Sequence, residues 1–217
     1  MPLATRYSMK LLMCPRLEKL KSQNILQRWG LTVEELTEIV NSNPSMRGLM
    51  FGYVAEYKLR KMFFDDPRIK DLTKDDDHDR SRKGDVRFTY KGRSFRVECK
   101  SLQTNTIRKE PTGFKATFQC DASDRRLVVF SDGSKKETTC LKVGEFDILA
   151  VNLFALEETW RFVFALNSDL PRSKYNKYTP YQRNELLASS MTITWPLNPP
   201  FVENPFVLLD RIIDGLR

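Results

Sequence analysis

Apolar and polar residues alternate through Asp85-Val86-Arg87-Phe88-Thr89-Tyr90 and again through Arg93-Ser94-Phe95-Arg96-Val97-Glu98-Cys99-Lys100, with Lys91-Gly92 between them. A period of two on both sides of a glycine-containing pair predicts two half-buried strands joined by a hairpin. With Lys91-Gly92 as the loop, one face pairs Val86 with Val97 and Phe88 with Phe95, apolar against apolar. The other face pairs Thr89 with Ser94, Arg87 with Arg96, and Asp85 with Glu98.

The flanking pattern is helical on one side and mixed on the other. Leu17, Leu20, Ile25 and Leu26 predict an amphipathic helix over 16–29 that Gly30 terminates. Thr32-Val33-Glu34-Glu35 is a capping box opening a second helix to about Val40, and Ser45 is read as the cap of a third running from Met46 to about Phe64. Leu49, Met50, Tyr53, Leu59, Met62 and Phe63 form much of its apolar stripe. The stretch from Phe64 to Lys83 reads as a charged loop. Phe114 to Asp121 alternates weakly, as a further strand would, and Ser131-Asp132-Gly133-Ser134 reads as a turn. Phe146 to Phe154 is almost continuously apolar, the mark of a buried central strand, with Trp160 to Leu166 as its neighbour. Thr179-Pro180-Tyr181-Gln182 combines a capping box with proline at the first helical position. The proline-rich tail from Trp195 to Phe206 is expected to wrap the core. The expected fold is α/β (α+β): a mixed central β-sheet flanked by helices, with a small N-terminal helical region. No linker-like cluster interrupts 1–217, so a single domain is expected, with a helical subregion over 1–44, a core over 45–170, and a helix and tail over 171–217.

Composition narrows the possibilities. The 217 residues are 41% apolar and 11% aromatic, enough to bury a sizeable core. A net charge of +8 and a pI near 9.3 suit a polyanionic partner. Cys14, Cys99, Cys120 and Cys140 show no CxxC spacing, which argues against a zinc ribbon or an iron–sulfur cluster and suits a reducing cytoplasm. The run Leu11-Leu12-Met13 is interrupted by Cys14-Pro15, and no window approaches the ~20 apolar residues of a membrane span. A soluble, cytoplasmic protein without a membrane partner is expected. The single histidine, His78, lies in Asp75-Asp76-Asp77-His78-Asp79 and excludes chemistry that needs a histidine cluster. A solvated loop is its expected setting.

The Asp85–Glu98 pair carries the candidate chemistry. Directly opposed residues on an antiparallel pair have Cβ atoms roughly 4.5–5.5 Å apart, and like charges there destabilise the sheet. A divalent cation compensates two such carboxylates most strongly, and oxygen ligands with open positions suit Mg²⁺, with Mn²⁺ as a substitute. Lys100, two residues beyond Glu98, projects from the same strand face. There its ammonium can hold or deprotonate a water, or stabilise charge developing on a phosphate. An acid two residues before a lysine occurs twice, as Glu56-Tyr57-Lys58 and Glu98-Cys99-Lys100, but only the second lies on a strand with an opposed aspartate. Glu56 instead lies amid the apolar stripe of the third helix, where helical spacing offers it a salt bridge to Arg60 or Lys61.

Asp85, then Glu98-x-Lys100 across a hairpin, with a glutamate-bearing helix upstream, resembles the PD-(D/E)XK nuclease superfamily over roughly residues 48–166. That family's first motif is ideally Pro-Asp, where this chain has Gly84-Asp85. The stretches Phe118 to Arg126 and Gly144 to Asn152 look like predicted bacterial type II restriction endonucleases of the same superfamily. The resemblance implies a restriction-endonuclease-like core and metal ligands Asp85 and Glu98, with Lys100 and Glu56 as further catalytic residues. It also implies hydrolysis leaving 5′-phosphates, and a homodimer acting on double-stranded DNA without a small-molecule cofactor. Basic and amide side chains able to meet phosphates or base edges are Arg82, Lys83, Gln103, Asn105, Arg108, Lys109, Gln119, Arg125, Arg126 and Lys174. Lys174 precedes the Thr179 cap, whose helix start would favour a phosphate. Asp147 is expected to cap backbone or hold a basic residue and not to bind metal. Two other readings stand beside a restriction enzyme: a structure-specific nuclease such as a junction resolvase or repair enzyme, and a non-catalytic basic DNA-binding protein.

Overall fold

The computed structural model describes residues 24–74 and 84–215. His78 and its acidic neighbours, Arg80, Arg82, Lys83 and the first part of the helix expected over 16–29 lie outside the described residues. The chain divides into two compact units, Met1–Met50 and Phe51–Arg217.

In the first unit, helix α1 (Ile25–Trp29) starts at a capping box formed by Asn24 and Gln27 and stops at Gly30, whose φ of 65° is left-handed. Helix α2 (Val33–Ser42) opens on the expected box, with Thr32 accepting from the Glu35 N–H and Glu35 returning a bond to Thr32. Helix α3 (Pro44–Leu59) begins at Pro44, one residue before the expected cap, because proline at the first turn needs no N–H partner. The boundary between the units falls inside this helix. It passes into a π-helical turn, Arg60–Phe64.

The second unit holds a mixed α+β arrangement around a five-stranded sheet. Strands β1 (Ile69–Lys74), β2 (Val86–Tyr90) and β3 (Arg93–Ser101) form an antiparallel meander. The Phe64–Lys83 segment is thus not wholly loop. Its strand escaped the pattern because a bulge at Asp71 and Leu72 shifts the register, Asp71 taking a φ of 52°, and the alternation breaks there. Between β2 and β3 the observed register is the one that the apolar pattern demands, Val86 on Val97, Phe88 on Phe95 and Thr89 on Ser94. The hairpin closes through Lys91 and Gly92, both left-handed at φ 48° and 79°.

After β3 the chain makes two small sheets before returning. Strand β4 (Arg108–Glu110) pairs with β5 (Gly113–Gln119), which pairs on its other edge with the later β10, while β6 (Asp121–Val129) and β7 (Lys135–Cys140) form a separate hairpin. Strand β8 (Ile148–Asn152) then joins β3 in parallel, and β9 (Phe162–Leu166) pairs antiparallel with β8. Short helices α4 (Phe154–Glu157) and α5 (Pro180–Glu185), strand β10 (Ser190–Trp195) and helix α6 (Pro205–Ile213) complete the fold. Thr179 and Gln182 form the expected capping box of α5. The tail packs as expected, Val202 bridging Phe164 on β9, but it ends in a helix that the proline-rich pattern did not announce.

Every residue of β8 is buried because both sheet faces are covered. Ile148 and Ala150 join Leu59, Phe88, Phe95, Val97, Phe164 and Leu209 on the helix-covered face. Leu149 and Val151 join Leu102, Phe118, Leu187 and Ile193 on the face covered by the β10–β5–β4 sheet. Among the described residues, no helix is long and apolar enough to cross a membrane.

Phe88 is fully buried, its ring 4.5 Å from Phe64 and 5.9 Å from Phe95. Phe88→Ala should lower the unfolding free energy by about 3–5 kcal/mol, while Leu127→Ala on the exposed side of β6 should change it by less than about 0.5 kcal/mol. Chemical denaturation of the two variants reads both.

Candidate active site

Glu98 and Lys100 sit on β3, on the side that also carries Leu102. Side-chain alternation sends Phe95 and Val97 to the helix-covered core and leaves Glu98 and Lys100 between the two sheets. There they are largely withdrawn from solvent, at 11% and 20% side-chain exposure, and Lys100 Nζ lies 2.7 Å from Glu98 Oε1.

Asp85 reaches this pair from the end of β2. Regular pairing stops at Val86, and the Asp85 N–H turns to donate to the Val97 carbonyl at 2.8 Å. Its carboxylate accepts the Cys99 N–H at 2.7 Å, replacing the backbone carbonyl that a longer β2 would have offered. Gly84 makes the turn possible. Its φ of 85° is left-handed, and a Cβ there would stand 3.2 Å from the Val97 carbonyl oxygen and 3.3 Å from the Arg96 Cβ.

Electrostatics tie the three side chains together. Burial pushes the Asp85 carboxyl up to about 8, the Glu98 carboxylate pushes it the same way, and Glu56 adds to both. Lys100 and the Cys99 N–H pull against them. For Lys100, burial alone would lower the ammonium's pKa, but Glu98 and Asp85 outweigh it and raise it above its ordinary value. Lys100 is therefore a cation across the physiological range. The neighbouring thiols are inert: burial raises Cys99 well above its usual value and Cys120 to about 12, with Lys100 opposing in both cases.

Glu56 lies on α3, close enough to raise both Asp85 and Cys99. Among the described residues it pairs with neither Arg60 nor Lys61. It pairs instead with Lys74 at the end of β1, 3.0 Å away, whose ammonium also stands 4.0 Å over the Tyr53 ring. A partner from another element, eighteen positions along the chain, leaves no trace in helical spacing; only the placement of β1 reveals it.

The acids Asp85, Glu98 and Glu56 thus gather around two cations, Lys100 and Lys74. With all three ionised the acids outnumber the cations by one, and Asp85, whose proton is held first by burial and then by the Glu98 charge, would release it in favour of a small divalent cation bound by Asp85 and Glu98. Among the described residues, no three His, Cys, Asp or Glu side chains are grouped to hold a metal, so water and phosphate oxygens would complete such a shell.

The other expected site residues separate into groups. Gln103 is half-buried beside β5, its N–H donating to the Thr117 carbonyl. Asn105, Arg108, Lys109, Gln119, Arg125 and Lys174 are exposed. Arg126 is different: its guanidinium is engaged by both Glu145 carboxylate oxygens and by the Cys140 carbonyl at 3.2 Å. Arg125 and Arg126 differ although adjacent, because neighbours on a strand point to opposite faces: Arg125 is exposed and Arg126 points inward. Asp147 takes both roles expected of it, accepting the Arg96 N–H at 2.8 Å and lying 3.6 Å from Arg93.

Two predictions follow from this geometry. Gly84→Ala should destabilise the protein by about 1–2 kcal/mol, the cost of a left-handed non-glycine residue, and chemical denaturation measures it. In metal-free protein Asp85 keeps its proton to about pH 8, whereas the unfolded chain loses it near ~4. The folded state then binds more protons, so stability should fall as pH rises between those values. Asp85→Asn should flatten that slope, as urea midpoints across the range would show. Comparison with protein-family models, with curated proteins and with solved structures found no match, so the reading of this site rests on its chemistry.

Proposed function

We propose that this chain is a Mg²⁺-dependent DNA endonuclease of the PD-(D/E)XK type, acting as a type II restriction enzyme on a short duplex site. The observation that carries the reading is the convergence of Asp85, from the end of β2, on Glu98 and Lys100 of β3 in a half-buried, negatively charged site. The arrangement supports it too: a glutamate-bearing helix precedes the hairpin that carries Asp85 and Glu98-x-Lys100, within a mixed sheet flanked by helices. The Gly84 departure has a physical reason. Proline's φ is locked near −65°, and the turn that delivers Asp85 needs 85°.

In this reading Asp85 and Glu98 hold the metal, which when bound polarises a phosphoryl oxygen and acidifies a water. Lys100, held as a cation by the two carboxylates, donates hydrogen bonds to the attacking water or to the phosphate oxygens and does not itself take a proton. Glu56 is kept beside Asp85 by Lys74 and adds to the charge that draws the cation in. Attack forms a bond from water oxygen to phosphorus and breaks the bond to the 3′ oxygen. The water gives up a proton, the 3′ oxygen gains one, and the products carry a 5′-phosphate and a 3′-hydroxyl. The substrate is double-stranded DNA, and a palindromic site would call for a two-fold homodimer.

Digestion of long, mixed-sequence duplex DNA should give discrete fragments with Mg²⁺ and none with a chelator. Lys100→Ala should retain DNA binding while losing cleavage. A smear, or preferential cutting of a branched oligonucleotide, would replace the restriction enzyme with a non-specific or structure-guided nuclease. No cleavage of either substrate with Mg²⁺ or Mn²⁺ would sink the nuclease reading.

A further inference from the structure

Side-chain alternation carries the face of Glu98 and Lys100 back along β3 to Arg96 and Ser94. Directly opposed residues of a sheet share a face, so the register extends it across the meander. On β2, Arg87 lies opposite Arg96 and Thr89 opposite Ser94. On β1, Thr73 lies opposite Arg87 and Lys70 opposite Thr89. Over β8 and β9 this side of the sheet is closed by β10, β5 and β4. Over β1, β2 and the first half of β3 it is open: Lys70, Thr73 and Ser94 are exposed, and Arg87, Thr89 and Arg96 are half-buried. We propose that this open half is the bed on which the sugar–phosphate backbone of duplex DNA lies as it enters the Asp85–Glu98–Lys100 site. The proposal rests on the nuclease reading and adds the surface that holds its substrate.

The chemistry of the bed fits a phosphate backbone. Lys70, Arg87 and Arg96 carry positive charge, and Thr73, Thr89 and Ser94 carry hydroxyls, all able to donate to phosphate oxygens. Arg87 and Arg96 stand directly opposite one another in the middle of it. Like charges so placed destabilise a sheet, and a phosphate lying across them turns that repulsion into attraction. The Gly144 carbonyl takes one Arg96 N–H at 3.0 Å, which leaves the guanidinium further donors. Two acids stand at the margin, Asp71 in the β1 bulge and Asp147 at 3.8 Å from Arg96, and the three cations outnumber them. The aromatic residues of the same strands, Phe88, Tyr90 and Phe95, all turn to the other face and are buried. A surface without an aromatic platform suits backbone contact and not the stacking of unpaired bases, which favours duplex over single strands.

Position ties the bed to the chemistry. Beyond Arg96 the next residue of β3 on that face is Glu98, and beyond Arg87 the chain reaches Asp85 as β2 ends. From Glu98 to Ser94 the strand extends about 13 Å at ~3.3 Å per residue, and successive charges along one DNA strand lie about 3.4 Å apart along the axis. The bed therefore spans several nucleotides. Its far end opens into a cavity of about 370 Å³ that Lys70 and Thr89 line together with Arg68 and Lys91. Asp66 and Asp210 hold those last two side chains in place.

Fluorescence anisotropy with a short labelled duplex, in chelator to prevent cleavage, tests the proposal on the full chain. Replacing Lys70→Gln and Arg87→Gln together should weaken binding by about tenfold or more at moderate salt and make the plot of log K against log salt shallower by about two. Ser94→Glu adds a carboxylate at an exposed position of the bed and should also weaken binding, with the melting midpoint unchanged. Lys58→Gln with Lys61→Gln removes the same charge from the helical segment over the opposite face and should leave affinity and slope near those of the wild type. Suppose the wild type binds and cuts duplex. Bed variants that then match it in affinity and slope, or a Lys58 and Lys61 pair that loses as much as they do, would overturn this path and leave the nuclease reading standing. Wild-type protein that neither binds nor cuts duplex would overturn both. Tighter binding of a single strand than of the duplex would overturn the assignment to duplex DNA.

Discussion

The register of the β2–β3 hairpin is the constraint on which the site depends. Side chains on a strand alternate with a period of two, so a slip of one residue would send Phe88, Phe95 and Val97 outward and bury Arg87 and Arg96 in their place. Burial of that aromatic and aliphatic set against Leu59, Phe64 and Phe164 makes one register far more stable than the alternatives. Once it is set, Glu98 and Lys100 have no choice of face. They must project between the two sheets, where water is scarce and charges feel one another strongly.

That placement shapes the charge balance of the site. Burial first, and then the neighbouring Glu98 carboxylate, raise the proton affinity of Asp85. Lys100 relieves the repulsion from the same strand, and in return the carboxylates keep its ammonium charged. The Cys99 N–H contributes a further donor because β2 ends early, its last ladder position taken over by an aspartate side chain. Gly84 lets the backbone turn there. Lys74 arrives from β1 to hold Glu56 at the periphery. The arrangement remains rich in acid, which is the condition that a divalent cation satisfies.

The covering sheet follows the same rule of alternation with a different outcome. One of its faces closes the core over Leu149 and Val151, and the other is left with cations, hydroxyls and an amide. By contrast Arg126, on the neighbouring hairpin, is drawn inward to Glu145 and the Cys140 carbonyl, where it secures structure. Two basic residues adjacent in sequence therefore have unlike environments, and counting charges along the chain does not distinguish them.

The amino-acid sequence by itself determined what is settled within a few residues. The hairpin register, the capping boxes at Thr32 and Thr179, and the buried runs that become β8 and β9 were all legible. In each, the deciding chemistry lies in neighbouring side chains or in a local period. So was the pairing of Asp85 with Glu98 and Lys100, because the hairpin brings them together locally. Tertiary structure alone decided the rest. The bulge at Asp71 hid β1 by breaking its alternation, and with β1 hidden the Lys74 partner of Glu56 could not be named. The partnership of β5 with β10 joins segments some seventy residues apart, so no local pattern announces the face that Lys115 and Thr192 share. Such contacts form because the whole chain buries its apolar surface at once, and that condition is not written in any single stretch of it.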